Sequence, residues 1–370
     1  MPSTVPRWAT VAELQALIDL TIEQAHSTAI LIIADDTAAA DRMSSLKSVR
    51  FQERMISDTE LNFLAGTFQR CGIACQTVFG FERFMQLALE GKAFPARAST
   101  TVVLDKTEGG GHRDGFGPAR RSMGALLARL FGYHYGHADA YSAAITRHKH
   151  HQSMLMRQAK IGVPDTWSYD SKHGWITGKP KPGKKVICKS TYEAWSIGVS
   201  ESTVGPFDEA MERRIADLAD DIGQPVCVQE FIEGREIYAL VVDNGTPMMV
   251  GLAEASSSNG PKSNGSYLVF DDHYRPGGIV YSDCDDLPEK TRSAIADNAL
   301  STFALMAMSN VGRVDFRVTS AGKAYVIDIA DNPGTSEASS LAHILKKRGI
   351  AFENTPLLLI GASLSQELRR

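Results

Sequence analysis

Two aspartates near the C-terminal end of the chain carry the clearest chemistry. Asp315 sits inside the β-rich run Arg313–Val318, and Asp328 near the end of a second run, Ala324–Ile329, with the turn Thr319-Ser-Ala-Gly322 between them. This pattern predicts a hairpin. Facing residues on adjacent antiparallel strands lie roughly 5 Å apart, so two carboxylates in facing positions could share one divalent cation. Ionised carboxylates that close repel each other unless a cation or a proton sits between them, which makes a metal the economical explanation. An exposed strand with ordinary acidic residues is the alternative.

Upstream, several stretches have residue types suited to phosphate and base. In Lys185–Val199 a β-run leads into a small-residue loop and a second β-run; Lys189 leaves the strand where its ammonium can hold phosphate while loop amides close over it. In Val226–Val242 two strand-like runs flank a short linker at Glu233-Gly234. Such a linker either makes a plain hairpin or leaves backbone N–H and C=O groups free to bind the edge of adenine. Asp105–Gly117 is a glycine-rich loop between a strand and a helix, a flexible connector or a place of close backbone approach to a ligand. Its glycines lack the spacing of a dinucleotide fingerprint. Ser256–Gly265 is a polar run, either linker or active-site lid. His148, His150 and His151 lack the i, i+4 spacing that puts ligands on one helical face, so they are a surface run.

Taken in chain order, these segments resemble the ATP-grasp superfamily and, within it, D-alanine:D-alanine ligase and related carboxylate-amine ligases. The motifs that carry the likeness are Arg313-x-Asp315, Asp328 and Pro333-Gly334; Lys149 in a helix; Lys189, Ser196 and Gly198 around the small-residue loop; and the linker ending in Glu236. The resemblance runs from about residue 28 to the end. It implies an ATP-grasp fold, an N-terminal doubly wound α/β domain followed by two α+β subdomains that clamp ATP. It also implies roles. Lys149, Lys189 and Ser196 would contact phosphates, Gln229, Glu230, Phe231 and Ile232 would hold adenine, and Glu236 would take the ribose hydroxyls. Asp315 and Asp328 would hold Mg²⁺, with Mn²⁺ as a substitute. The family's third ligand, Asn, falls on Ala330, so either Asp331 or Asn332 supplies that oxygen or the second metal site is weakened. Arg313 and the amide of Gly334 would stabilise a tetrahedral oxyanion. Glu108 stands where the family has a His that contacts the first amino acid, and Asp114-Gly115 matches the end of the same loop. His273, with Lys262 as rival, stands where a lysine contacts the transferred phosphate. Ser190 replaces a Pro, and Ala194-Trp195 a Gly-Ser.

The activity so implied is ATP-dependent joining of a carboxylate to an amine, both amino-acid-like, through an acyl phosphate, with ADP and phosphate released. The departures at Glu108, Ala194-Trp195 and Ala330 point to a specialised substrate, with a ring-closing or ester-forming ligase as the alternative and a nucleotide-binding module without catalysis as a second. Homodimers are usual in such enzymes.

The elements that must position these residues are legible in outline. Thr10 and Glu13 form a capping box before an amphipathic helix over residues 10 to 26. Ala29–Ala34 is a continuous apolar run ending in Asp35-Asp36, as in a buried parallel strand with a functional loop at its C-terminal end. Helices near 57–71 and 81–91 alternate with strands Cys75–Phe79 and Thr100–Leu104, and a helix over Arg120–Phe131 follows the glycine-rich loop. A further helix starts near Thr146, one spans Pro288–Met308, and a last one begins after Gly334. We expect an N-terminal helical extension (1–27), an α/β substrate domain (28–145), a central subdomain (146–222) and a C-terminal subdomain with the metal site (223–370).

The whole chain has 370 residues, 43% hydrophobic and 22% charged, as in a globular enzyme with two or three packed units. A net charge of -4 gives no electrostatic reason for nucleic acid or an anionic membrane as partner. No apolar run reaches membrane-spanning length, the first residues lack signal-peptide character, and five scattered cysteines suit reduced thiols, so a cytoplasmic protein is expected.

Overall fold

The computed structural model describes residues 6–36, 50–93, 98–108 and 117–367. Asp114-Gly115 and most of the glycine-rich loop lie outside the described residues.

An apolar run without alternation has no face to give to water. Thr28–Ala34 accordingly forms β1, buried at all seven positions. It is flanked in parallel by β2 (Ala74–Phe79) and β3 (Thr100–Asp105), and the short β4 (His134–Tyr135) completes the order β2-β1-β3-β4. Ligand-facing residues of such sheets gather at the carboxyl ends of the strands, here Asp35 and Asp105–Glu108. The helix expected over 120–131 is split: Pro118–Ser122 is a 3-10 turn, and the α-helix covers Met123–Leu130.

Two antiparallel sheets follow. The central one has the order β6-β5-β9-β7-β8, built from β5 (Thr166–Asp170), β6 (Gly174–Trp175), β7 (Lys185–Ser190), β8 (Val204–Pro206) and β9 (Val226–Glu230). The C-terminal one has the order β12-β11-β10-β13-β14, from β10 (Arg235–Asp243), β11 (Pro247–Ser257), β12 (Ile279–Ser282), β13 (Val311–Val318) and β14 (Ala324–Ala330). The boundary expected at 222/223 therefore moves: β9 pairs with β5 and β7, so the central unit reaches Glu230. It follows that β9 and β10 lie in different sheets. The linker between them is a crossing from one sheet to the other, not the turn of a hairpin.

The helix expected from Thr146 is also two helices, Ala140–Arg147 and Lys149–Gln158, broken at His148, whose ring nitrogen accepts from the His151 amide. The capping box at Thr10 and Glu13 forms as expected and starts the helix Val11–Glu23. That helix is no loose extension. It packs on the C-terminal helix Thr355–Glu367, and Thr21 Oγ1 donates to the Leu357 carbonyl at 2.7 Å. The approach depends on Gly361, where a Cβ would stand 1.9 Å from the Leu17 carbonyl oxygen. Gly361→Ala should therefore force the two helices apart and cost about 1–3 kcal/mol, read as a lower midpoint in thermal or denaturant unfolding; an unchanged midpoint would refute the close packing.

Candidate functional site

The hairpin β13–β14 is where local sequence and register combine. From Val318↔Ala324 to Phe316↔Val326 the pairing is regular, and then it slips by one residue so that Asp315 faces Asp328. Without that bulge Ile327 would oppose Asp315, and Asp328 would turn with Val314 toward the core. The bulge also leaves the Ile327 carbonyl off the ladder, where Lys189 Nζ donates to it at 3.1 Å across the cleft. Alternation places Val314, Phe316 and Val318 in the core against the helix Glu289–Leu305, while Arg313, Asp315 and Arg317 face the cleft.

Both facing carboxylates are neutralised by cations of the chain. Arg313 holds Asp315 through two hydrogen bonds, Nε to Oδ1 at 2.7 Å and Nη2 to Oδ2 at 2.8 Å, and its guanidinium lies 4.1 Å over the Tyr238 ring. Lys149 Nζ stands 3.8 Å from Asp328 Oδ1 and donates to the Glu193 carbonyl at 2.5 Å. Burial pushes the Asp315 carboxyl up to about 6, with Asp328 and Glu236 adding to it and Arg313 opposing. Asp328 goes the other way: burial raises it, but Lys149 and Lys189 outweigh burial and hold it below the usual carboxylate range.

Of the two outcomes expected for the third metal oxygen, the arrangement favours the weakened second site over a ligand from Asp331 or Asn332. Ala330 lies opposite Arg313 and offers no side-chain oxygen. Asn332 is turned to the N-terminal domain, accepting from Lys106 at 3.2 Å and donating to the Asp105 carbonyl at 2.9 Å. Asp331 is buried with Oδ1 unpartnered, and its charge couples to Arg121 and Arg147 rather than to the hairpin pair. Among the described residues no group of three or more His, Cys, Asp or Glu side chains is placed so that it could hold a metal ion.

The linker expected to hold adenine shows the same mixture. Gln229 points into the cleft side of β9, its amide nitrogen donating to Thr166 Oγ1 at 3.3 Å while Oε1 is buried without a partner. The backbone is less free than expected: the Phe231 amide donates to the Lys185 carbonyl, the Glu230 amide to the Asp165 carbonyl, and the Ile232 carbonyl accepts from Arg317 Nε at 3.1 Å. The Glu230 carboxylate turns outward to Lys184 at 3.2 Å. Glu236 stays in the cleft, with Tyr238 Oη on one oxygen at 3.1 Å and Arg317 Nη1 on the other at 3.4 Å.

The small-residue loop after β7 and the polar run after β11 meet over the cleft. Ser196 Oγ lies 3.0 Å from His273 Nε2, and burial, with Arg313 nearby, pulls that imidazole down to about 4, so it is neutral at pH 7. The rival Lys262 is tied to Asp272 at 3.3 Å and Ser257. Asn264 reaches back to the Glu201 and Val204 carbonyls, so the polar run is docked on the central unit rather than a free linker. Trp195 and Ser196 both sit at positive φ, 60° and 56°, a rare conformation for bulky side chains. Gly334 is exposed at the start of the turn into the helix Ser340–Lys347, whose Ser340 Oγ accepts from Arg313 at 3.1 Å.

What sequence reasoning missed is a buried charge cluster that joins this loop to the first domain. Glu193 is fully buried; Arg120 grips both of its oxygens at 2.9 and 2.7 Å, Arg54 adds 2.8 Å and Gln224 3.0 Å. Burial pushes the Glu193 carboxyl up, yet Arg120 and Arg54 hold it well below the usual range. Beside it Glu108 pairs with Arg54 at 3.3 Å, its amide donates to Asp35 at 2.6 Å, and Arg120 Nε donates to its carbonyl. The only signal was a charged residue inside a loop of small and aromatic ones. Removing one member leaves buried charge unpaired, so Glu193→Ala should destabilise the protein by about 3–5 kcal/mol, measured by denaturant unfolding. A loss below about 1 kcal/mol would mean that the arginines re-pair at little cost.

The fold and the cleft define an ATP-grasp protein. A family profile described as the D-ala D-ala ligase C-terminus matches residues 179–360. In sequence the chain is 24% identical over 231 residues to a D-alanine–D-alanine ligase of Desulforudis audaxviator, covering 61% of this chain and 71% of that one. It is 23% identical over 251 residues to that of Lactobacillus acidophilus, covering 65% and 67%. Solved D-alanine–D-alanine ligases superpose on it: that of Bacillus anthracis in complex with ATP with a TM-score of 0.62 at 14% identity over 92% of this chain and 99% of that one, and that of Coxiella burnetii with 0.58 at 16% over 93% and 97%. The chain is thus similar to D-alanine–D-alanine ligases in sequence over much of its length and shares their ATP-grasp fold, which supports a D-alanine-ligase-like protein in the class of ATP-dependent carbon–nitrogen ligases.

Proposed function

We propose that the protein joins a carboxylate to an amine at the expense of ATP, through an acyl phosphate, on amino-acid-like substrates in the cytoplasm. The observation that carries this reading is the convergence, in one cleft between two antiparallel sheets, of the facing pair Asp315/Asp328 with Lys149 and Lys189 from the opposite wall. Phosphate transfer to a carboxylate is mainly a problem of placing positive charge around moving oxygens, and no protein nucleophile is needed. Two lysines and Arg313 are the groups for that work. Gln229 Oε1, buried and unpartnered, is an acceptor aimed where an exocyclic amino group of adenine would donate.

The facing carboxylates fit one divalent cation. They stand opposite each other at the bulge, and Arg313 and Lys149 supply the compensating charge when no ion does. They do not fit two, since Ala330 lacks a side-chain oxygen and Asn332 is engaged with Lys106 and Asp105. Mg²⁺ held by Asp315 and Asp328, or Mn²⁺ in its place, would offset phosphate charge. Arg313 would then be freed to face the reacting carboxyl, with the Gly334 amide at the other side of the developing oxyanion. Neutral His273 on the Ser196 hydroxyl would hydrogen-bond the transferred phosphate rather than add charge. Glu108, held by arginines beside Asp35, would meet the first substrate. Trp195, stacked on Phe270 at 6.1 Å, replaces a small residue at the lid and favours a substrate other than D-alanine.

The test is ADP release with Mg-ATP across D- and L-amino acids, singly and in pairs, with product masses. A pair-dependent release and a product equal to the two masses less water are expected; ATP binding without release under any mixture would favour a non-catalytic nucleotide-binding module. Arg313→Ala should lower turnover by about 10² or more with ATP affinity nearly intact, and wild-type-like turnover would remove the oxyanion role. Asp315→Asn should abolish Mg²⁺-dependent ADP release, and activity unchanged across a magnesium titration would remove the metal role.

A further inference from the structure

Arg317 has no place in the chemistry above, yet it is buried and sits at the meeting point of three elements of the nucleotide cleft. It extends from β13 on the same face as Arg313 and Asp315, opposite Glu236 of β10. Its Nε donates to the Ile232 carbonyl of the linker at 3.1 Å, its Nη2 to the Ser266 carbonyl at the foot of the polar lid at 2.9 Å, and its Nη1 lies 3.4 Å from Glu236 Oε2. The guanidinium also stands 5.6 Å from the Phe231 ring centre. A planar fork with five N–H groups spreads its donors over three nitrogens and so reaches three well-separated oxygens, whereas a lysine offers its three donors from a single nitrogen.

The consequence falls on Glu236. Its second oxygen accepts from Tyr238 Oη at 3.1 Å, so the carboxylate is held from both ends, one donor per oxygen. Each oxygen keeps acceptor capacity beyond the one bond it makes. A carboxylate fixed in this way accepts two neighbouring hydroxyls without paying to order itself, whereas a mobile one discriminates poorly. The same guanidinium joins this carboxylate to the linker and to the lid, so the orientation of the hydroxyl acceptor and the position of the base-binding backbone are set by one side chain.

We propose that Arg317 is a positioning residue that pre-orients Glu236 toward the ribose hydroxyls, and so sets the preference of this protein for ribonucleoside over deoxyribonucleoside triphosphates. This rests on the reading of the cleft as an ATP site. The experiment is binding of ATP, 2′-deoxy-ATP and 3′-deoxy-ATP to the full-length chain by calorimetry, for wild type, Arg317→Met and Arg317→Lys. Wild type is expected to bind ATP tighter than either deoxy form by about tenfold or more, the worth of a hydrogen bond to a charged group. Arg317→Met, which keeps the bulk and loses the donors, should bring that ratio close to one, beyond any common loss from the linker and lid contacts that all three nucleotides share. Arg317→Lys should narrow the ratio as well and covers the case in which the Met variant fails to fold. If folded Arg317 variants weaken all three nucleotides by the same factor, or leave the ratio at its wild-type value, the inference is overturned and the residue only braces the sheet. If wild type binds ATP without preferring it over the deoxy forms, the ribose role of Glu236 falls and the inference with it, while the ATP site stands. If wild type binds none of the three, the reading of the cleft itself falls.

Discussion

The site depends on a one-residue slip in the hairpin β13–β14. Antiparallel strands present alternate residues to opposite faces, so an acid on the second strand reaches the cleft only if the register agrees. Regular pairing from the turn would place Ile327 opposite Asp315 and send Asp328 inward beside Ile295 and Phe303. The bulge shifts the count, brings Asp328 over Asp315, and leaves the Ile327 carbonyl unpaired at the point where Lys189 arrives from the other sheet. One local irregularity thus makes the anionic pair and also one of the bonds that joins the two walls around it.

Two buried carboxylates facing each other are costly, and the protein meets that cost with its own cations. Arg313 takes Asp315 and Lys149 approaches Asp328, so the groups suited to a reacting phosphate and carboxyl are held in ion pairs until something displaces them. The same economy appears deeper in the cleft, where Glu193 from the loop over the site is locked between Arg54 and Arg120 of the first domain. That contact sets the position of the loop that carries Trp195 and Ser196. The first domain therefore helps to shape the loop over the cleft.

The linker between β9 and β10 has a related logic. Because its two strands belong to different sheets, it is the covalent tie between the clamp's halves, and Arg317 and Asn264 are side-chain ties across the same gap. A nucleotide held there would contact both halves, so its binding and the closeness of the sheets are one equilibrium.

Much of this was legible in the residues. The hairpin, the capping box at Thr10, the buried run at β1 and the alternation of strands with helices follow from local propensity and periodicity, which act over a few residues and need no distant partner. The order of Lys149, Lys189, Glu236, Arg313, Asp315 and Asp328 was visible too, through the resemblance to ATP-grasp ligases, whose motifs follow one another along the chain in that order. Tertiary structure alone decided the rest. Whether β9 belongs with β10 or β7, whether Asn332 serves the hairpin or Lys106, and whether Glu193 faces solvent or two arginines are all questions of contact between segments far apart in sequence. Register is the sharpest case: a bulge changes no residue type and disturbs no period that a single strand displays, yet it determines which face of the sheet receives Asp328.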